Sequence, residues 1–379
     1  MDAINLEGDS DFLKSIEKIV GRSGLLIDSR DTAPYLIDQK KEYNGRAVAI
    51  VKPKTTEELS KVVSLCSEKR IPIVPQGGNT GLCGGATPDN SGKAIVISLS
   101  RMNKIRAIDP LNYTITVDAG VILADIQKAA DDADRLFPLS LGAEGSCQIG
   151  GNLATNAGGT GVLRYGTTRE LALGLEFVMP NGKIWDGMTA LRKDNTGYDL
   201  KHLFMGSEGT LGIITGAVLK LFPKPKDIQT AFVAIRDSNA AIDLLARARS
   251  ISDDRVTAFE WIARLGLDFV LKHIPDTRDP LSEKYSEYLL IEMASGHSDG
   301  NLRENFENIL GKAMEDGLIL DAVLAESEAQ AKDFWRLRET IPEAQMTEGA
   351  TIKHDISVPV SKVPEFLRAA ESAIKKELP

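Results

Sequence analysis

PLSLGAEGSCQIGGNLATNAGGTGVLRYG, residues 138–166, decides the reading of this chain. It holds eight glycines in 29 residues, against 33 in the whole 379, and that density frees the backbone to take positive φ and approach another molecule closely. Ser140, Ser146, Asn152, Thr155 and Asn156 add short polar side chains, with Glu144 and Gln148 the larger exceptions. Exposed N–H groups beside hydroxyls and amides, with little bulk around them, suit a phosphate, a ribose or a planar heterocycle. Tight turns between strands would account for the glycines equally well, so the stretch needs a second signal beside it.

That signal lies upstream, in PQGGNTGLCGGATPD, residues 75–89, with five glycines between Gly77 and Gly85. This loop leaves a β-α-β unit. Ala47 to Val51 reads as a strand, Thr55 and Glu58 stand at capping-box spacing, and Leu59, Val62, Val63 and Cys66 share one helical face. Ile71 to Pro75 is the second strand. Loops at strand ends of such units are where phosphate sites are built. No Gly-Lys-Ser/Thr follows, so this is not a P-loop, and Gly159-Thr-Gly161-Val-Leu-Arg164 lacks the last glycine of a dinucleotide fingerprint. Two glycine loops without either pattern point to a different nucleotide fold.

The rest of the composition narrows the class. A 42% apolar and 26% charged chain reads as globular, and a formal charge of −9 argues against a nucleic-acid partner or an anionic-membrane footprint. No apolar run reaches spanning length, so no transmembrane segment is expected, and the acidic opening MDAINLEGDS does not resemble a secretory signal; a cytoplasmic protein is expected. Cys66, Cys83 and Cys147 have no metal-ligand spacing and read as small packing residues. Further along, Tyr113 to Val117 alternates like a strand, Ala119 to Ala133 reads as a helix, and Leu173 to Met179 with Gly182 to Trp185 reads as a hairpin around Pro180-Asn181-Gly182. Asn195 to Phe204 is expected to be helical, and GSEGTLGIITGAVLKLFPKP, residues 206–225, ends at a domain boundary.

The order PQGGNTGLCGG, GAEGSCQIGGNLATNAGGTGVLRYG, NTGYDL, GSEGTLGIIT closely resembles the FAD-binding domain of the vanillyl-alcohol-oxidase/p-cresol-methylhydroxylase (PCMH) flavoproteins. Within them it looks most like the D-2-hydroxyacid dehydrogenases that act on D-lactate, glycolate or D-2-hydroxyglutarate. The likeness is strong over residues 47–225 and weaker beyond. It implies an α+β protein: a two-subdomain PCMH-type FAD-binding domain over 1–225, with its core at 47–225, and an α+β, ferredoxin-like substrate cap over 226–379, incomplete at the C-terminus.

The resemblance also implies a site. The first loop, Gln76, Gly77, Gly78, Asn79, Thr80, Gly81, Gly84 and Gly85, would wrap the FAD pyrophosphate. The second stretch would line the isoalloxazine and ribityl chain with Pro138, Gly142, Ala143, Gly145, Ser146, Ile149, Gly150, Gly151, Asn152, Thr155, Asn156, Gly158 and Gly159, and Tyr165 and Gly166 would close that side. Glu208, Gly209, Ile213 and Ile214 fall where the family holds the adenosine end. Members that bind FAD covalently through the first loop carry a histidine there; Asn79 and Thr80 stand in its place, which implies non-covalent FAD.

Beyond Pro225, strands over Thr230 to Ile235, Tyr288 to Met293, Leu318 to Ala322 and Ile352 to Val360 alternate with helices over Ala240 to Ser250, Leu302 to Met314, Phe334 to Ile341 and Val363 to Ile374. Arg338 and Lys353 match positions where the D-2-hydroxyglutarate-type enzymes grip substrate carboxylates, a task for a guanidinium fork or an ammonium. A surface ion pair is the ordinary alternative for either. Pro342 stands where that branch can carry a hydroxyl that touches substrate. His202 and His273 read as structural and His297 as exposed; strand alternation would turn Lys353 toward the site and His354 away.

In the family a His-x-x-Asp-Gly-Asn-x-His motif follows the last of these helices and supplies both the ligands of a divalent metal such as zinc and the group that takes the substrate hydroxyl proton. The sequence reaches Pro379 before that motif would begin. No catalytic or metal residue is therefore expected within it, and the chain is expected to be C-terminally truncated. The implied partners are a small 2-hydroxyacid and an electron acceptor, whether an electron-transfer flavoprotein, a quinone or a cytochrome; a homodimer is compatible with the sequence. Two other readings stay open: an NADPH-dependent flavin reductase of the same fold, and a non-catalytic flavin-binding fragment or subunit.

Overall fold

A computed structural model describes residues 6–298, 301–349 and 352–377, with side chains from residue 11 onward. The chain forms two compact units, one made of the residues up to 159 with 165–224, the other of 160–164 with 225 onward.

The first unit contains two principal sheets. In one, strands Ala49–Val51 and Ile73–Gln76 both run parallel to Ile95–Ser98, which lies between them, and Leu25–Leu26 adds an antiparallel edge. The crossover helix is Thr56–Lys69. Thr55 accepts from the Glu58 backbone N–H at 3.2 Å, which partners one orphan donor of the first turn, while the Glu58 carboxylate accepts from Lys54 N–H just before the cap. Its buried face is Leu59, Val62, Val63 and Cys66, the expected spacing. Burial drives the Cys66 thiol up to about 12, which leaves it a packing group. Cys147 is likewise buried, whereas Cys83 is exposed and not the packing residue expected.

The other sheet is antiparallel, in the order Ile105–Asp109, Thr114–Asp118, Ile213–Lys220, Ala172–Val178, Ile184–Gly187. The last two strands form the expected hairpin, with Gly182 at φ +79° in its turn. Arg106 lies across this sheet. Its Nε donates to Asp118 at 2.6 Å and its Nη2 to Glu176 at 2.9 Å, and Thr56 and Thr215 hydroxyls donate to the same Glu176 oxygen at 2.7 Å. Gly216 makes this crossing possible, because a Cβ there would stand 2.8 Å from Arg106 Nη2. Thr56 belongs to the crossover helix, so one partly buried carboxylate ties it to the antiparallel sheet.

The second unit is an antiparallel sheet, in the order Val256–Ala263, Glu287–Ser295, Asp227–Ile235, Ile319–Leu324, with helices on both faces. Ala231, Val233, Leu289, Ile291 and Met293 pack with helices Ser238–Ile251 and Asn301–Glu315. The alternate residues Phe232, Ala234, Tyr288 and Leu290 pack with helices Arg264–His273 and Glu328–Glu339. Period-two alternation thus fills two cores from one sheet.

Three expectations are corrected. Residues 352–360 form no strand, and nearly all of them are exposed: the alternation of Ile352, His354 and Ile356 is β-like, but the segment joins no sheet edge. The helix expected over 195–204 is reduced to Lys201–Phe204, because Gly197 sits at φ +73° in a turn that a helix cannot pass. The helix expected over 119–133 starts only at Leu123 and ends at Asp132. Strands Ile105–Asp109 and Val256–Ala263 went unread, the first because as a sheet edge it alternates little apolar side chain.

The Arg106 network predicts a pH-dependent stability. Burial alone would push the Glu176 carboxyl up, but hydrogen bonds from Arg106, Thr215 and Thr56 outweigh it and hold it below the usual carboxylate range. Its contribution is therefore present above the unfolded carboxylate value of about 4.3 and is lost as pH falls through the lower folded value. Glu176→Ala should cost about 2–3 kcal/mol near neutral pH, read by urea unfolding. The gap between wild type and Glu176→Gln should close as the pH is lowered; a gap that does not change with pH contradicts the assignment.

Candidate functional site

The first glycine loop leaves strand Ile73–Gln76 and is pinned at three places. Gln76 is buried, and its Nε2 donates to Tyr35 O at 3.0 Å and Ala86 O at 2.8 Å, so this side chain closes the loop at its base. Asn79, at φ +53°, donates from Nδ2 to Ile37 O at 2.8 Å. Gly84, at φ +73°, lies against the Tyr43 ring, where a Cβ would come within 2.8 Å. These braces from Tyr35, Ile37 and Tyr43 were invisible in the sequence, because the loop fixes itself to a segment with no motif of its own.

The two glycine stretches meet. A Cβ on Gly78 would stand 2.1 Å from Ser146 O, so only glycine permits the contact, and Gly77 lies 3.5 Å from Gln148 Cβ by the same measure. Gly159 approaches Ser140 O equally closely, and Gly150, whose N–H donates to Ala119 O at 2.7 Å, packs its Cα face on Ala119. Gly81, Gly142, Gly145 and Gly151 differ: a Cβ on any of them would meet nothing within 4 Å. The first set holds the fold together, and the second faces open space.

Two acceptors are left over there. Gln148 Oε1 and Asn152 Oδ1 are buried and have no hydrogen-bond partner among the described residues. Both belong to helix Ile149–Ala154 or its N-cap. FAD brings ribityl hydroxyls and ring N–H groups, which are donors, so a stretch with open glycines and two unpartnered acceptors fits that cofactor.

Other expected residues stand around this centre. Glu208, exposed and at φ +52°, has its carboxylate oxygen 3.3 Å from the position of a Gly85 Cβ, and its N–H donates to Ala154 O at 2.9 Å. Gly209 abuts Pro75. Ser146, Thr155 and Gly158 are exposed, whereas Ile149, Ile213, Ile214 and Pro138 are buried and support the site from behind. Tyr165 packs edge-on against Phe222, and Gly166, at φ +78°, gives room to Glu170. Asn156 Oδ1 accepts from the Arg169 backbone N–H at 3.0 Å, and the Arg169 guanidinium donates to the carbonyls of His202 and Met205. Sequence reading missed Arg169.

In the second unit Arg338, half-buried in the last turn of helix Glu328–Glu339, donates from Nε to Glu260 at 2.6 Å. Lys353 and His354 are both exposed, so the expected division of the two between opposite strand faces does not hold. Glu292 lies deeper: burial pushes its carboxyl up, against the hydrogen bonds it accepts from Trp335 at 2.8 Å and Thr257 at 2.9 Å. His273 bonds to Glu348, His202 faces Asp199, and His297 is exposed. Among the described residues no cluster of His, Cys, Asp and Glu could hold a metal, and no helix is long and apolar enough to cross a membrane.

This architecture is that of a flavoprotein with an FAD-binding fold. It superposes on alkyldihydroxyacetonephosphate synthase with a TM-score of 0.74 at 19% identity, over 98% of this chain and 76% of that one. On p-cresol methylhydroxylase the TM-score is 0.70, again at 19% identity, over 89% and 70%. Residues 47–187 match the FAD binding domain and residues 224–378 the C-terminal domain of FAD linked oxidases. D-2-hydroxyglutarate–pyruvate transhydrogenase of Saccharomyces cerevisiae is 36% identical over 92% of this chain and 70% of its own length. The mitochondrial D-2-hydroxyglutarate dehydrogenase of Arabidopsis thaliana is 39% identical over 94% of this chain and 63% of its own length, and that of Danio rerio 38% identical over 88% and 61%. The chain belongs to this family of FAD-linked oxidases, and its cofactor is FAD.

The chain spans 63% to 65% of the length of the three plant and rice relatives it matches at 39% identity. The C-terminal-domain match reaches residue 378 and lends no support to the expected truncation. The expected cytoplasmic location is corrected: the Arabidopsis, zebrafish and bovine relatives are named as mitochondrial proteins. The expectation rested on the lack of a spanning apolar run and of a secretory-type opening, neither of which tells one reducing compartment from another.

The two sets of glycines predict separable defects. Gly78→Ala should destabilise the folded protein by about 1–3 kcal/mol, because backbone on both sides must move. Gly81→Ala and Gly151→Ala should not lower the thermal midpoint of the FAD-free protein and should weaken FAD binding, measured by fluorescence titration. Equal FAD affinity in wild type and both of these variants contradicts the cradle.

Proposed function

We propose that the chain oxidises a small D-2-hydroxyacid to the 2-oxoacid and passes the electrons to an acceptor other than oxygen, of the electron-transfer flavoprotein, quinone or cytochrome class. FAD, when bound, would supply the two-electron oxidising power. The reading is supported by identities of 36–39% with D-2-hydroxyglutarate enzymes over more than nine-tenths of the chain.

Residues 1–225 act as the FAD-binding domain and 226–379 as the substrate-binding cap. Gly77, Gly78, Asn79, Thr80 and Gly81 present the pyrophosphate with backbone N–H groups; Gln148 and Asn152 accept from the cofactor's donors. The FAD is held without a covalent bond, since Asn79 and Thr80 offer no nucleophilic ring nitrogen. Glu208 stands at the adenosine end.

Arg338 and Lys353 hold substrate carboxylate. Arg338 keeps its Nη groups for a planar, bidentate partner, while Lys353, exposed on an extended segment, adds a point charge. Two cations suit a dicarboxylate such as D-2-hydroxyglutarate better than D-lactate. No step is assigned to a metal, because no described cluster would hold one.

Anaerobic addition of D-2-hydroxyglutarate to the FAD-loaded chain should bleach the long-wavelength flavin band, and NADPH should not. Bleaching by NADPH alone would favour a reductase of the same fold, and no bleaching by D-2-hydroxyglutarate or D-lactate contradicts the reading. Arg338→Ala should raise the half-saturating substrate concentration roughly 10- to 100-fold, the loss of a charged hydrogen-bonded pair.

A further inference from the structure

Arg338 is not free to choose its orientation. It sits one turn after Trp335 on the same face of helix Glu328–Glu339, and each of the two is held by a carboxylate from the sheet below. Glu260, on strand Val256–Ala263, takes the Arg338 Nε hydrogen at 2.6 Å. Glu292, on the adjacent strand Glu287–Ser295, takes the Trp335 indole hydrogen at 2.8 Å, and its other oxygen accepts from Thr257. Glu260 pairs in register with Leu290, two residues from Glu292, so the two carboxylates project from the same sheet face as diagonal neighbours.

A guanidinium carries five hydrogens. Glu260 engages only the Nε side, and no other partner of Arg338 is recorded among the described residues. The Nη edge is thereby left for a second, planar acceptor. A free arginine side chain carries about 2 kcal/mol of rotamer entropy, and fixing it before a ligand arrives lowers the cost of binding. Glu260 is itself only 20% exposed and Arg338 34%, so the pair is more rigid than a solvated surface bridge.

We infer that Glu260 is a positioning residue: it orients the Arg338 guanidinium so that its Nη edge receives the carboxylate of the 2-hydroxyacid. This rests on the assignment of Arg338 to substrate binding made above. The role needs an acceptor at this position and not a negative charge, since the Nε hydrogen can be taken by an amide oxygen as well as by a carboxylate.

The test is calorimetric titration of D-2-hydroxyglutarate into the FAD-loaded chain and its variants, each first checked for an unchanged unfolding midpoint relative to Glu260→Gln. Glu260→Ala should raise Kd about tenfold and Glu260→Gln less than about threefold, because the amide restores the hydrogen bond. In an Arg338→Ala background Glu260→Ala should have no further effect on Kd, the non-additivity of two residues acting as one. Three results overturn the inference while leaving the substrate assignment standing: Glu260→Ala binds like wild type, binds more tightly, or is no weaker than Glu260→Gln, in each case with Arg338→Ala impaired. Wild-type affinity in Arg338→Ala, or no binding by the wild-type chain, removes the assignment and the inference together.

Discussion

The carbonyl oxygen of Ser146 lies where a side chain on residue 78 would be. That single close approach joins a loop at the end of a parallel sheet to a stretch some seventy residues later, beside the open glycines proposed to take the cofactor. Around it the same device recurs, at Gly159 against Ser140 and at Gly150 against Ala119. Close backbone contact fixes these segments to one another, and Gly81, Gly142, Gly145 and Gly151 beside them are left facing open space. Glycine thus serves two opposite purposes within a few residues, and composition alone does not separate them.

These contacts would be of little use if the two sheets could slide. Glu176 prevents this by collecting donors from a helix of the parallel sheet and from two strands of the antiparallel one. A largely buried carboxylate is costly unless it is hydrogen-bonded, and here Arg106, Thr56 and Thr215 all donate to its Oε1. The second unit repeats the principle: Glu292 and Glu260 each hold one residue of the same helix. In both units a few satisfied charges set orientation inside cores whose stability comes from apolar packing.

Much of this was legible in the sequence wherever a local rule carried it. The crossover helix announced itself through Thr55, Glu58 and the Leu59 to Cys66 face; the hairpin at Gly182 through its turn residues; and the first strand of the second unit through the apolar run Thr230 to Ile235. What was not legible was long-range. Gln76 has the look of a ligand-binding amide but is used to close its own loop, and Ile213 and Ile214, placed beside the cofactor by resemblance, are buried in the core. Residues 352–360 alternate like a strand without an edge to join. Glu260, on which the orientation of Arg338 depends, carries no motif, because its significance lies in the register of two strands and the phase of one helix.

The most direct measurement is the visible absorption spectrum of the purified chain supplied with FAD and freed of excess, followed by denaturation and filtration. The account predicts flavin bands in the protein and yellow colour in the filtrate afterwards, as non-covalent FAD requires. A chain that stays colourless after exposure to FAD, while folded by circular dichroism, would contradict the claim that its two glycine stretches enclose a cofactor.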